Sequence, residues 1–148
     1  MRIIALGNNV AGDDGAALLA AKAIEASCKA DIVFAGRPGA ELLDLLEVDE
    51  AVILLDVVAG TGQPGKIVKL SFNDLLNNLC PGKQLSSHGF GPTETLQLGQ
   101  ALGRPLPEGC FIGIEGQNFA PGDALSAAVR EAMDSYVDCV RRAISEFS

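Results

Sequence analysis

The run AVILL at positions 51–55 constrains the fold more than any other segment, because every residue in it is apolar. A strand without a polar position has no face for solvent, so it has to be covered on both sides. Such strands are typical of the centre of a parallel sheet that carries helices on both faces. Asp56 follows the run directly, and a carboxylate there is costly unless it is solvated, hydrogen-bonded or bound to a ligand.

Strand and helix patterns alternate along the rest of the chain. Further strands are predicted at 3–6, 31–34 and 110–114, with an edge strand in the alternating stretch 66–71. Helices are predicted at 16–26, in the short stretch after GRPG, between Pro92 and Gly103, and from Asp123 to the C-terminus, where apolar residues recur every 3.6 positions. This order predicts one α/β domain over residues 1–148, a three-layer αβα sandwich with a mostly parallel central sheet of about five strands.

Composition narrows the class of partner and the compartment. A net charge of −8 argues against nucleic acid and against an anionic membrane, since both require clustered Lys and Arg. The initial apolar run is too short for a signal peptide, and no stretch reaches membrane-spanning length, so we expect a cytoplasmic protein. We also expect it to act as a monomer. The four cysteines are widely spaced and are predicted to be packing thiols, with Cys80 the most exposed.

Three acidic residues and the only histidine are the candidates for chemistry. Ligands of such sheets sit beyond the carboxyl ends of the strands. Asp13 and Asp14 follow the first strand, Asp56 is predicted to end the central one, and His88 lies in a loop rich in serine and glycine. Each also has a structural interpretation: Asp13 and Asp14 as helix-start acids, Asp56 as an acceptor for loop amides, and His88 as a bystander.

Two carboxylates and one imidazole, taken together, form a hard-to-borderline ligand set. It suits nickel, zinc, iron or manganese, and ligand type alone does not choose among them. Three protein ligands leave positions open for water or a substrate group. The residues by themselves therefore predict a metal or carboxylate site without naming its metal.

Four consecutive segments resemble the maturation endopeptidases of nickel–iron hydrogenases. They are LGNNVAGDDGAALLAAKAIE, GRPGAELLDLLEVDEAVILLDVVAGTGQPG, LSSHGFGPTETLQLGQALG and FIGIEGQNFAPGDALSAAVREAM, which together cover almost the whole chain in order. The resemblance implies that Asp14, Asp56 and His88 are the catalytic and metal-contacting residues and that Asp13 supports the loop and the helix start. Some relatives carry glutamate in place of Asp14, and the loop after His88 lacks a glutamine found in some members.

The resemblance further implies a single cut that removes a short C-terminal extension from the large-subunit precursor of a hydrogenase. The nickel would arrive with the precursor, and the three ligands would recognise it there. Two routes to peptide hydrolysis stay open: the metal can lower the pKa of a bound water, or a carboxylate can act as the general base.

Two other classes compete with this hypothesis. A phosphoacceptor receiver domain would use Asp13, Asp14 and Asp56 with magnesium, but it needs a lysine just after the last strand, and CFIGIEGQNFAPG has none. A nucleotide-binding loop is disfavoured because GNNVAGDDG lacks the required glycine pattern and would place acids against a phosphate. A relative that binds the precursor without cutting it is the remaining alternative.

Overall fold

A computed structural model describes residues 1–85 and 90–148 and places a six-stranded sheet among helices. The strands are β1 (Arg2–Leu6), β2 (Asp31–Gly36), β3 (Val52–Ala59), β4 (Ile67–Ser71), β5 (Lys83–Gln84) and β6 (Gly109–Glu115). The helices are α1 (Ala16–Glu25), α2 (Leu42–Leu45), α3 (Phe72–Leu76), α4 (Pro92–Ala101) and α5 (Ala127–Glu146), with 3₁₀ turns at Gly12–Gly15 and Gly39–Glu41.

The sheet is mostly parallel and has the strand order β2-β1-β3-β6-β4. The pairs β1–β2, β1–β3 and β3–β6 are parallel, whereas the edge strand β4 runs antiparallel to β6. The two-residue β5 pairs antiparallel with the last residues of β3. The predicted fold class and the predicted edge strand are thereby confirmed.

Two apolar cores lie on opposite faces of the sheet, because successive side chains of β3 point to opposite sides. Ile53, Leu55 and Val57 pack in one core, with α1 and α5. Val52, Leu54 and Val58 pack in the other, with α2, α3 and α4. By the same alternation Asp56 belongs to the second face, so a carboxylate stands in a row of buried aliphatic side chains.

The predicted end of β3 was wrong. The strand continues through Asp56 to Ala59, because β6 pairs with it from Val52 to Val58. On the other side, pairing with β1 stops at Leu55, opposite Ala5. Asp56 thus lies inside β3, just beyond the last residue that pairs with β1 and beside the loop that leaves β1.

Other boundaries moved by a few residues for local reasons. The last helix begins at Ala127 and not at Asp123, because Ser126 is its N-cap and accepts a hydrogen bond from the Val129 amide. The short elements α3 and β5 were not predicted. Phe72 opens α3 after an N-cap serine, and β5 has only two residues, too few to show a period.

The cysteines are free thiols, as expected. Cys110 and Cys139 are buried, and Cys28 and Cys80 are both of intermediate exposure, so Cys80 does not stand apart from Cys28. Burial raises the pKa of the Cys110 thiol to about 11, which keeps it protonated. Of the helices in residues 1–85 and 90–148, none is both long and apolar enough to cross a bilayer.

Candidate metal centre

Asp14 is held by the loop that leaves β1. The Asn8 amide donates to the Asp14 Oδ2 atom at 3.0 Å and also lies 3.1 Å from the Asp14 carbonyl oxygen. Gly7 makes this close approach possible: its φ is +140°, and a Cβ there would lie 2.0 Å from that carbonyl oxygen. The glycine–asparagine start of the loop therefore fixes where the second acid of the pair points.

Asp56 is completely buried. Its Oδ1 atom accepts from the Val57 amide at 2.7 Å and pairs with Arg37 Nη1 at 2.9 Å. Its Oδ2 atom is buried and has no hydrogen-bond partner among the described residues. A buried carboxylate oxygen without a donor is destabilising in itself, and this is the kind of atom that a cation or a substrate group would satisfy.

Arg37 joins the two acids, and sequence reasoning missed it. Its Nη2 atom donates to Asp14 Oδ1, its Nη1 atom pairs with Asp56, and Nη1 also donates to the Leu85 carbonyl oxygen at 3.0 Å. The sequence GRPG indicated only a turn. The signal available was its position just after β2, at the same edge of the sheet as the candidate acids. We refer to Asp14, Arg37 and Asp56 as the carboxylate–arginine cluster.

Burial dominates the electrostatics of this cluster. Desolvation raises the pKa of Asp56 from 3.8 to about 7, although the Arg37 charge and the Val57 amide act in the opposite direction. For Arg37, burial acts to lower the pKa, but the charges and hydrogen bonds of Asp56 and Asp14 outweigh it and raise the pKa further above its usual range. Arg37 is therefore a permanent cation beside an acid that changes charge near neutral pH.

Asp13 points to a different part of the molecule. Its Oδ2 atom accepts from the amides of Gln117 and Asn118, at 2.8 and 2.9 Å, and from the Ser126 hydroxyl at 2.8 Å. Its Oδ1 atom accepts from the Ser126 amide at 2.8 Å. We call Asp13 with these donors the Asp13 anchor, because it ties the start of the first helical segment to the loop between β6 and α5.

The predicted helix-start role of Asp13 is half right. Asp13 lies in the first turn of the 3₁₀ segment Gly12–Gly15, but Ala11 is the N-cap and no side chain caps the turn. Both oxygens of Asp13 are occupied by the loop after β6. This counts against a receiver domain, since that site needs both members of the acid pair beside Asp56.

His88 lies outside the described residues, so its relation to the two acids stays a prediction. Within residues 1–85 and 90–148, no three His, Cys, Asp or Glu side chains are grouped to hold a metal ion. The two acids that converge on Arg37 provide carboxylate oxygens, which fit a divalent cation, and the open Oδ2 atom of Asp56 adds to this fit. A third ligand has to come from outside the described set or from a bound molecule.

A model of the family described as hydrogenase maturation protease matches residues 17–143. The matched region contains Arg37, Asp56 and His88 and begins shortly after Asp14. A comparison with curated proteins gave no match.

Solved structures of similar proteins share the fold over nearly the whole chain. The hydrogenase maturating endopeptidase HybD from E. coli superposes with a TM-score of 0.82 at 19% identity, covering 98% of this chain and 91% of that one. The HybD maturation protease from Thermococcus kodakarensis gives 0.74 at 25% identity, covering 95% and 96%. A hydrogenase 2 maturation peptidase from Thaumarchaeota archaeon SCGC_AB-539-E09 gives 0.66 at 27% identity, covering 97% and 96%.

Proposed function

Because the chain belongs to the hydrogenase maturation protease family, we propose that it is an endopeptidase that removes a short C-terminal extension from the large-subunit precursor of a nickel–iron hydrogenase. The precursor brings its nickel as part of the substrate. Asp14, Asp56 and His88 contact that nickel and hold the precursor tail beside it. The observation that carries the proposal is that two buried carboxylates converge on Arg37, while the Oδ2 atom of Asp56 has no partner in residues 1–85 and 90–148.

The chemistry of these side chains suits both recognition and hydrolysis. Two carboxylates and a neutral imidazole are ligands that nickel accepts. Hydrolysis also requires a group that takes a proton from the attacking water, and such a group works best with a pKa near the working pH. Burial raises the pKa of Asp56 to about 7 in the metal-free site, but contact with nickel would lower it again, so as a nickel ligand Asp56 is ionised. The proton of the attacking water therefore leaves by one of two routes, from a water bound to nickel or to a carboxylate that acts as general base.

The test is mass spectrometry of a large-subunit precursor incubated with the protein. Nickel-loaded and nickel-free precursor are each treated with wild type, with His88→Ala and with Asp56→Asn. Asp134→Asn is the matched control, because this exposed acid on α5 undergoes the same chemical change far from the cluster. We expect loss of one C-terminal peptide from loaded precursor only, with wild type and Asp134→Asn.

Two results would contradict the proposal. Cleavage of nickel-free precursor at the same rate would remove the role of nickel in recognition. Binding of a correctly loaded cognate precursor without any cleavage would leave a binding protein and not a peptidase. For the variants, we expect rates to fall by more than about 100-fold, since the loss of even outer partners of metal ligands lowers activity by 10–100-fold.

A further inference from the structure

Arg37 competes for the oxygen atoms that a metal would need. Its guanidinium reaches Asp14 Oδ1 through Nη2 and Asp56 Oδ1 through Nη1. An oxygen that accepts a hydrogen bond from a guanidinium cannot at the same time direct that lone pair at a metal ion. Among the carboxylate oxygens of the two acids, the Oδ2 atom of Asp56 is the one without a partner in the described residues.

The positive charge of Arg37 also disfavours binding of a metal ion. Its side chain is only 18% exposed, so solvent screens it poorly, and a guanidinium does not lose its proton to make room. A divalent cation entering between Asp14 and Asp56 meets this fixed positive charge. Two acids and one arginine present a net charge of −1 at most, whereas the acids alone would present −2.

A backbone contact with Leu85 holds the guanidinium at a third point. Arg37 Nη1 donates to the Leu85 carbonyl oxygen, and Leu85 precedes His88 by three residues in the sequence. The guanidinium is therefore anchored at three points, two acids and one carbonyl group. Moving it requires breaking all three contacts together, which free aqueous metal does less readily than a large substrate with its own binding surface.

We infer that Arg37 determines specificity at this site: its guanidinium occupies the two carboxylates as an internal cation, so that free divalent metal is disfavoured and nickel is accepted only as part of the precursor. This inference rests on the proposed function, whose nickel-contacting acids it uses. It adds a residue that discriminates between two sources of the same metal.

The test measures binding of Ni²⁺ alone by isothermal titration calorimetry at pH 8. The proteins are wild type, Arg37→Met, Arg37→Lys and the double variant Arg37→Met/Asp56→Asn. Arg141→Met is the matched control, because it removes the same charge from an exposed position on α5. We expect Arg37→Met to bind Ni²⁺ at least about tenfold more tightly than wild type, which equals about 1.4 kcal/mol.

The other variants separate specific competition from a general charge effect. Arg141→Met should bind Ni²⁺ like wild type, and the double variant should lose the gain. Arg37→Lys keeps the charge but not the fork that reaches both acids, so its affinity should lie between those of wild type and Arg37→Met. Equal or weaker binding by Arg37→Met would overturn the inference, as would an equal gain in Arg141→Met.

Circular dichroism of each variant shows whether it folds. If Arg37→Met does not fold, Arg37→Lys decides: an affinity at least about threefold above that of wild type supports the inference, and no gain overturns it. Precursor cleavage by wild type distinguishes this inference from the proposed function. If wild type cleaves loaded precursor but Arg37→Met shows no gain in Ni²⁺ affinity, the inference alone is refuted. If Arg37→Met gains Ni²⁺ affinity but wild type does not cleave loaded precursor, the proposed function alone is refuted.

Discussion

The Asp13 anchor and the carboxylate–arginine cluster begin from adjacent residues but differ in how far the charge of a buried carboxylate is compensated. Both bury carboxylates, and Asp13 and Asp56 are each fully shielded from solvent. Asp13 accepts four hydrogen bonds from one loop, so its charge is compensated where it stands. One oxygen of Asp56 is shared between Arg37 and the Val57 amide, and the other has no partner in the part of the chain that the structure describes.

The pKa values of the two acids record this difference. Burial alone would raise both. For Asp13, the bonds from Asn118, Gln117 and Ser126 outweigh burial, so its pKa is lowered from 3.8. For Asp56, burial prevails and its pKa rises to about 7. A carboxylate with all its hydrogen bonds made stabilises the fold, whereas one with an unpaired oxygen destabilises the fold but remains available to a ligand.

The largest expected effect is on the pH dependence of stability at Asp56. The folded state holds the proton up to about pH 7, whereas the unfolded chain releases it near 3.8. Ionisation therefore destabilises the fold as pH rises between these values, by up to about 4 kcal/mol at about 1.4 kcal/mol per pKa unit. Asp56→Asn cannot ionise. Its free energy of unfolding, relative to that of wild type, should therefore increase from pH 4 to pH 7 and stay constant above pH 7.

Urea denaturation of both proteins between pH 4 and pH 8 measures this difference. The altered contact with Arg37 adds an offset that does not depend on pH, so the slope and not the absolute value is the readout. A difference that stays flat across the range, or that shrinks as pH rises, would show that Asp56 is compensated as fully as Asp13 is.

The sheet and the convergence of Asp14 and Asp56 followed from local patterns. Apolar runs located the strands, and the rule about carboxyl ends brought both acids to one edge. The sequence could not show that β3 runs through Asp56, because an acid inside an apolar strand is disfavoured until a partner strand and a counter-ion are in place. The pairing of β3 with β6 and the contact with Arg37 supply both.

The distinction between Asp13 and Asp14 was beyond local reasoning. Adjacent identical residues have the same propensities, so only their distant partners separate them. The donors to Asp13 lie more than 100 positions along the chain, and Arg37, which pairs with Asp14, lies 23 positions away from it. The role of His88 as a metal ligand is predicted from the sequence and from its resemblance to the family. It stays a prediction, because His88 lies outside the described residues.

The next largest expected effect is a loss of stability on substitution of Gly7, in the loop that positions Asp14. In Gly7→Ala, the new Cβ would lie 2.0 Å from the Asp14 carbonyl oxygen, and this backbone atom has to move. Together with a φ of +140°, which side chains other than that of glycine rarely adopt, this should lower the free energy of unfolding by about 3–4 kcal/mol. Gly103→Ala is the control: the φ of Gly103 is +74°, and no heavy atom of the described residues lies within 4 Å of the new Cβ.

We expect about 1–2 kcal/mol for Gly103→Ala, the strain of a left-handed residue alone. Chemical denaturation of both variants isolates the part due to the Asp14 contact. Equal losses in the two variants would mean that the loop shifts freely, and that Asp14 is not held as firmly as Asp13.

Asp13→Asn tests the saturated side of the comparison. The amide keeps the size but loses the charge, and its nitrogen faces donors and cannot accept from them. We expect a loss of about 2–3 kcal/mol, because hydrogen bonds to a charged acceptor are stronger than neutral ones. The lowered pKa of Asp13 means that its contribution is complete above pH 4 and fades as pH falls through the folded-state pKa, below 3.8.

The measurement is the difference in unfolding free energy between wild type and Asp13→Asn from pH 2.5 to pH 8. This difference should be constant near neutral pH and shrink only in acid. At Asp56, by contrast, the difference between variant and wild type changes as pH rises from 4 to 7. A difference that stays constant down to pH 2.5 would mean that the anchor does not depend on the charge of Asp13.

The smallest effect is expected from Ser126→Ala, which removes one donor of the anchor and a helix cap together. The Ser126 hydroxyl donates to Asp13 Oδ2 at 2.8 Å and accepts from the Val129 amide at 3.4 Å. The Ser126 amide still donates to Oδ1, so Asp13 keeps three of its bonds. We expect a loss of about 1 kcal/mol, typical of an N-cap serine.

A double-mutant cycle with Asp13→Asn shows which of the two contacts of Ser126 contributes more. If the hydroxyl acts mainly through Asp13, the two losses overlap and the double variant is less destabilised than their sum. If it acts mainly as the cap of α5, the losses add. Strong coupling would make the anchor a single unit from Asp13 to α5, whereas additivity would confine it to Asp13 and the backbone amides of the loop.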